Sequence, residues 1–311
     1  MTLDTSAAGV FAIAVTPFTD TGEIDMPSVD RMVDFYRGCG VSGLTILGMM
    51  GEAPKIETSE AIAFAKAVVM RAQGLPIVVG VSAPGFAAMR ALSSAVIDAG
   101  AAGVMIAPPG AMRTADQLVN YYAQCVEAIG SDTPFVIQDY PLSSGVIMSV
   151  GVIRRIVDAH ANCVMLKHED WPGLEKISAL RVLSDAGDMK RISILTGNGG
   201  LFLDFEMERG ADGAMTGYAV PDMLADVIAA QNRGDRDAAH DLFDAHLPLL
   251  RYEQQPGLGL AVRKHILKLR GAIGSDAQRA PASKMTEAAR REVEYLLARV
   301  GKHDPSAANL T

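Results

Sequence analysis

The sequence predicts an α/β chain folded as a (β/α)8 TIM barrel with a C-terminal helical appendage. Three observations carry this. Short, almost continuously apolar runs alternate with longer stretches of helical period, eight such pairs are complete by residue 233, and three more helical stretches follow. A run that is apolar throughout suits a parallel strand covered on both faces. Eight consecutive βα units close into a barrel.

The first candidate strand is 9–16, followed by the helical period of 28–38. Strand 43–49 leads into helix 58–72, where Thr58 ahead of Glu60 and Ala61 reads as a start signal. Strand 76–82 leads into 85–99, stopped by Gly100. Strand 103–108 leads into 115–129, with Thr114 ahead of Asp116 and Gln117. Strand 134–140 leads into 150–160, and strands 163–167, 192–197 and 213–217 complete the set, with a glycine stop at Gly210. The stretches 236–251, 257–270 and 286–300 fall beyond the ring. Residues 1–233 are therefore assigned to the barrel. Residues 234–311 are assigned to an extension packed on it, with a polar linker at 274–283 that holds Pro281. An open doubly wound sheet would need a glycine-rich phosphate loop after its first strand, and residues 16–19 read Thr-Pro-Phe-Thr.

Composition narrows the function. Hydrophobic residues make up 49% of the 311, enough for a sizeable core. The net charge is -8 and the basic residues are dispersed, which argues against a nucleic-acid partner. No apolar run approaches the ~20 residues of a membrane span. The first 15 residues show no basic segment of the kind that opens a signal peptide, so a cytoplasmic location is expected. Cys39, Cys125 and Cys163 are far apart, without metal-ligand spacing, and read as reduced thiols.

Barrel enzymes carry their chemistry at the C-terminal ends of the strands. That rule selects Thr16 and Pro17, the turn Gly48-Met49-Met50-Gly51-Glu52, Ser82, Gln138-Asp139-Tyr140, Lys167-His168-Glu169, Gly197-Asn198-Gly199-Gly200 and Thr216-Gly217-Tyr218. Lys167 ends the apolar run Cys163-Val164-Met165-Leu166. Burial disfavours its ammonium, and a neutral amine can attack a ketone. The alternative is a lysine held in charge balance by Glu169. Glu169 shares strand parity with Lys167 and would hold it or shuttle a proton. His168 falls to the outer line. Glu52 reads first as a residue that caps the next helix or orients its turn. The Gly-Asn-Gly-Gly segment offers backbone N–H groups to a carboxylate or to hydroxyls.

These residues resemble the dihydrodipicolinate synthase / N-acetylneuraminate lyase family. The likeness runs through Thr16-Pro17-Phe18, the Gly48–Ala53 turn, Val164-Met165-Leu166-Lys167, the Gly210–Gly217 segment and Arg263-Lys264-His265-Ile266-Leu267-Lys268. It implies a barrel with C-terminal helices, a Schiff-base lysine at Lys167, no metal or organic cofactor, and a homotetramer or dimer. The departures are specific. Family synthases carry two threonines where this chain has Met49 and Met50, and a thioether donates no hydrogen bond. The carboxylate of a 2-oxo acid must then rely on backbone N–H groups or another donor. Alignment on Pro141 puts Gln138 at the place of the family's strand-five tyrosine, while Tyr140, two residues on, shares its face. Ser143 stands where synthases keep an arginine, and 108–111 hold no tyrosine.

The Gln-Asp-X-Pro, Lys-X-Glu and Met-Thr-Gly strands are closer to the branch acting on 2-keto-3-deoxy sugar acids, such as 2-keto-3-deoxyarabonate dehydratases. The expected activity is a dehydratase or aldolase on a hydroxylated 2-oxo acid. Lys167, Tyr140, Gln138 and Glu169 would be its catalytic groups, and Thr16, Met49, Met50, Gly197, Asn198 and Thr216 would bind substrate. An authentic synthase and a non-catalytic 2-oxo-acid sensor are the alternatives.

Overall fold

Eight parallel strands close into a barrel in chain order: β1 (Gly9–Ile13), β2 (Gly43–Ile46), β3 (Ile77–Gly80), β4 (Gly103–Ile106), β5 (Phe135–Asp139), β6 (Cys163–His168), β7 (Ser193–Thr196) and β8 (Gly213–Ala214). The computed structural model of the chain describes residues 1–171 and 173–307, so residues 308–311 of the expected extension lie outside the described residues. Around the strands run α1 (Met26–Gly38), α2 (Thr58–Ala72), α3 (Phe86–Asp98), α4 (Ala115–Ile129), α5 (Pro141–Ser144), α6 (Val150–Ala159), α7 (Leu174–Asp185), α8 (Leu203–Glu208) and α9 (Pro221–Asn232). Three further helices follow: α10 (Arg236–Glu253), α11 (Gly259–Leu269) and α12 (Glu287–His303).

The local signals act as caps. Thr114 accepts from the Gln117 N–H and Gln117 returns the bond, closing a capping box on α4. At α2 the cap is Glu57, one residue before the expected Thr58, and it is boxed with Glu60.

Several strands end earlier than the apolar runs suggest. β1 stops at Ile13 and β8 has two residues, although the Ile13 N–H still donates to Thr216 O at 2.8 Å and that of Ala14 to Thr45 O at 3.0 Å. The residues beyond belong to the mouth, where the backbone leaves the pleat. β6 runs one residue further than expected, to His168, because the Glu169 N–H donates to Asp139 O at 2.8 Å and that of Gly197 to His168 O at 2.8 Å.

Two apolar layers result. The barrel interior holds Phe11, Ile13, Val78, Met105, Val136, Met165, Leu195 and Met215, with Leu3 closing its lower end. The outer layer packs Leu44, Ile106, Ile137, Leu166 and Ile194 against helix residues such as Met32, Phe64, Tyr122, Ile153 and Leu224. One irregularity matters for the site. The β5–β6 register shifts between Phe135, paired with Cys163, and Val136, paired with Met165. The extra residue is Val164. Val164 and Met165 both belong to the interior layer, while Cys163 and Leu166 belong to the outer one. Such a bulge adds one residue and resets the side-chain alternation. It turns Lys167 into the barrel.

Candidate active site

Across β5 and β6, Gln138 is paired with Lys167. Both side chains meet one oxygen. Lys167 Nζ lies 3.0 Å from Glu169 Oε1, and Gln138 Nε2 donates to that same atom at 2.7 Å. The Lys167 and Glu169 side chains are each 7% exposed, so the pair is nearly dry. Glu169 Oε2 accepts from the Asn198 backbone N–H at 3.4 Å, and Asn198 Nδ2 donates to the Glu169 carbonyl at 2.8 Å. The carboxylate fits because residue 197 is glycine: a Cβ there would lie 2.2 Å from Glu169 Cγ. The ion pair of the charge-balance reading is thus present, and it places an acceptor directly on the amine.

A cavity of about 650 Å³ opens at the mouth beside this group. Gln138 and Tyr140 both lie in its wall; Lys167 does not line it and is joined to it through the Glu169 oxygen that it shares with Gln138. Burial first, and then the Glu169 charge, raise the Tyr140 phenol above its ordinary value. Met49, Ser82, Met105 and Ser143 line the same space, and no lining side chain carries a charge.

The turn after β2 is bracketed by two left-handed residues, Leu47 at φ 54° and Glu52 at φ 57°. Such conformations in non-glycine residues store strain and collect at working sites. Within it, the N–H of Gly51 donates to Gly48 O at 3.1 Å and that of Glu52 to Met49 O at 3.0 Å. The N–H groups of Met49 and Met50 donate to nothing among the described residues. Met50 packs against the barrel interior, whereas Met49 is 45% exposed, with its sulfur 3.0 Å from Ser143 Oγ. Thr16 is fully buried and its hydroxyl donates to Gly51 O at 2.6 Å, so its proton is committed to the turn. Glu52 anchors the same turn from behind. It accepts from Lys264 of α11 at 2.6 Å, from Lys55 at 2.9 Å and from the Arg279 N–H at 3.1 Å.

The Dihydrodipicolinate synthetase family matches residues 6–300 of the chain. The chain belongs to that family. It is similar to the L-2-keto-3-deoxyarabonate dehydratase of Azospirillum brasilense, 30% identical over 302 residues that span 96% of this chain and 94% of the relative. It is also similar to the 4-hydroxy-tetrahydrodipicolinate synthase of Sorangium cellulosum (strain So ce56), 29% identical over 94% of this chain and 96% of the relative. The crystal structure of dihydrodipicolinate synthase from Rhodopseudomonas palustris superposes with a TM-score of 0.95 at 59% identity, covering 96% of this chain and 99% of that one. Membership brings the expected class: a lyase of the family's aldolase and hydro-lyase type. Among the described residues, no helix is long and apolar enough to cross a membrane.

In this member of the dihydrodipicolinate synthetase family, the outward-facing neighbours of the site form a second polar layer. His168 is fully buried, with Nε2 3.1 Å from Gly173 O, and burial lowers it to about 4, so it is neutral at pH 7. Asp139 is raised to about 6 by burial, against the pull of Lys176, whose ammonium it accepts at 2.8 Å. Lys176 also meets Asp170. Thr216 is buried beside Gly200, whose Cβ would lie 3.6 Å from Thr216 Cγ2.

Sequence reasoning missed three groups near the site. Lys176 lies on a helix that the apolar pattern marks poorly. Glu206 is buried on α8, and Gln254 lies at the C-terminal end of α10. Only the glycines opposite Gln254 gave any signal in the chain, and that signal also suits a tight loop.

Proposed function

We propose that the protein captures the C2 ketone of a 2-oxo acid as an imine on Lys167. It then removes water from, or cleaves, a 2-keto-3-deoxy sugar acid such as L-2-keto-3-deoxyarabonate. The observation that carries the reading is the single Glu169 oxygen shared by Lys167 and Gln138. A proton passed from Lys167 to that oxygen frees the amine for attack. Glu169 returns that proton to the carbinolamine hydroxyl, which leaves as water. The resulting iminium acidifies C3, and the regenerated Glu169 carboxylate accepts the C3 proton. For dehydration, the enamine then expels the C4 hydroxyl, which takes up a proton and leaves as water. For cleavage, the C4 hydroxyl of the iminium instead loses its proton and the C3–C4 bond breaks, its electron pair moving into the iminium to give the enamine and an aldehyde. Gln138 holds the carboxylate in line, and Tyr140 in the cavity wall is placed to move a proton to the leaving oxygen. The free N–H groups of Met49 and Met50 receive the substrate carboxylate, as backbone donors do at other anion sites. The wall's lack of charge favours a neutral, hydroxylated tail.

The test is incubation with pyruvate and borohydride, followed by peptide mass mapping. A covalent adduct on Lys167 supports the reading, and a folded protein that stays unmodified overturns it. The 59% identical structure bears the name of a synthase, which favours condensation of pyruvate with an aldehyde as a second reading. A coupled assay with pyruvate and aspartate semialdehyde, run beside one with L-2-keto-3-deoxyarabonate, separates the two. The proposal extends to a cytoplasmic homotetramer or dimer, an assembly supported by family membership; sedimentation velocity checks it.

A further inference from the structure

The ammonium of Lys176 closes a second knot behind the pair formed by Lys167 and Glu169. It donates to Asp139 Oδ2 at 2.8 Å and to Met148 O at 2.8 Å, and it meets Asp170 Oδ2 at 2.5 Å. An ammonium has three protons, and here it has three oxygens to receive them. Each oxygen belongs to a different segment of the site. Asp139 stands between Gln138 and Tyr140 at the end of β5, Asp170 follows Glu169 after β6, and Met148 lies in the segment that returns from Ser143 in the cavity wall. The bond from the Glu169 N–H to Asp139 O is the last backbone rung between β5 and β6 among the described residues. Past that rung, Lys176 joins the two ends. Two features tie the lysine to this role. Asp139 is fully buried, and Lys176 is the one hydrogen-bond donor that its side chain meets among the described residues: its Oδ1 has no partner, and His168 Nδ1 stands 3.9 Å from Oδ2. Lys176 is also the third residue of α7, where a cation works against the helix dipole. Its place is set by its partners and not by the helix.

We propose that Lys176 is a positioning residue of the lyase: by locking Asp139 to Asp170, it holds the Gln138 amide and the Glu169 carboxylate in register on the Lys167 amine. Gln138 and Glu169 are the immediate chain neighbours of the two clamped aspartates. They meet at one oxygen, 2.7 Å from Gln138 Nε2 and 3.0 Å from Lys167 Nζ. Lys176 does not line the cavity, so it acts through them. A shift of about 1 Å in a catalytic group can cost about 100-fold in rate. A cation bound to three segments at once opposes such a shift. A buried ion cluster is often no more stabilising than apolar packing of the same volume, so stability alone is a weak reason to keep one here. This inference deepens the imine reading above and rests on it.

The experiment follows the initial rate at which borohydride traps pyruvate on Lys167, read by peptide mass mapping, so the readout does not depend on the tail of the substrate. Four chains are compared: wild type, Lys176→Met, Glu169→Gln and the double variant. Lys176→Met alone is expected to slow trapping by about tenfold or more. In the Glu169→Gln background the positioned carboxylate is already gone, so the same substitution should slow trapping by less than about twofold, because residues that act as a unit are not additive. Equal fold-losses in the two backgrounds, or a Lys176→Met chain that is trapped at the wild-type rate, overturn the proposal. If Lys176→Met does not fold, Asp170→Asn decides the matter: it keeps the shape, releases one end of the clamp and should show the same non-additivity. A wild-type chain that forms no adduct sinks the imine reading and this inference with it. A wild-type adduct with additive losses sinks the positioning role alone.

Discussion

Lys167 and Glu169 point into the barrel together, amine to carboxylate at 3.0 Å, and water has almost no access to either. Lys167 is in β6 and Glu169 lies one residue past its end, and the Gly197 gap lets the carboxylate fold back onto the amine. That relationship sets the first three expectations.

Replacing Lys167 with alanine should abolish adduct formation and turnover. It should also destabilise the fold, because it strands a buried carboxylate. Breaking such a pair costs about 3–5 kcal/mol. Denaturant unfolding measures the loss, and the double variant Lys167→Ala with Glu169→Gln should recover part of it. A single variant as stable as wild type would show that the pair carries no buried charge.

Glu169→Gln should weaken both steps that use its carboxylate. The amine remains but loses its proton acceptor, so borohydride trapping of pyruvate should slow, and turnover of the deoxy sugar acid, which also needs the C3 proton removed, should fall by about 100- to 10,000-fold. Turnover within a few-fold of wild type would remove Glu169 from the proton path.

Gly197→Ala should act through Glu169. A methyl at the Cβ position meets Glu169 Cγ at 2.2 Å, so the carboxylate must leave Lys167. The expected outcome is a fall in kcat of about tenfold or more in a protein that still folds, since misplacement by an ångström is costly in catalysis. Gly38→Ala is the control. It ends α1, its Cβ meets nothing within 4 Å, and its backbone is not left-handed. That substitution should stabilise the chain by about 0.5–1 kcal/mol with activity unchanged.

Stability should depend on pH through Glu206. Burial, aided by the charges of Asp204 and Glu169, raises this carboxyl to about 8 against a hydrogen bond from Thr196. A folded-state value above the unfolded one means that the protonated form is favoured by folding. Its stabilising contribution is therefore complete below about pH 4.5 and is lost as pH rises through about 8. Glu206→Gln should flatten that decline. Measured by thermal unfolding, the variant should gain a few kcal/mol at most over wild type above pH 8, at about 1.4 kcal/mol per pH unit between the two values. Parallel pH profiles of variant and wild type would contradict this.

Glu52 should matter for the turn without touching the reaction. Glu52→Ala leaves the fully buried Lys264 ammonium without its carboxylate and frees the loop at Arg279. The loss should be about 3–5 kcal/mol, and KM for the 2-oxo acid should rise because the Met49 and Met50 amides lose their support. An unchanged melting temperature would place the anchor elsewhere.

The barrel was legible because each strand is an apolar run of strand length and each following helix carries its own period and caps. The candidate site is legible as a set of strand ends, which groups Lys167, Glu169, Gln138 and Tyr140. Their division of labour was less legible. Thr16 reads as a ligand for substrate oxygens, yet its hydroxyl is spent on Gly51 O, a long-range contact that local pattern does not encode. Glu52 reads as a cap or turn residue, and its partners Lys264 and Arg279 lie far along the chain.

By itself, the sequence determined the eight βα units, the helices beyond them, and the lysine at the end of the sixth strand, because each is a pattern among near neighbours. The tertiary structure alone decided which way that lysine faces. Cys163, Val164, Met165 and Leu166 are all apolar, so no alternation marks the inner face. Only the register shift against β5 puts two successive residues inward and brings Lys167 in after them. It also decided that an amide from the end of α10 crosses Gly199. Pairing between distant segments depends on how the closed ring and the late helices fit, and no periodicity along the chain carries that information.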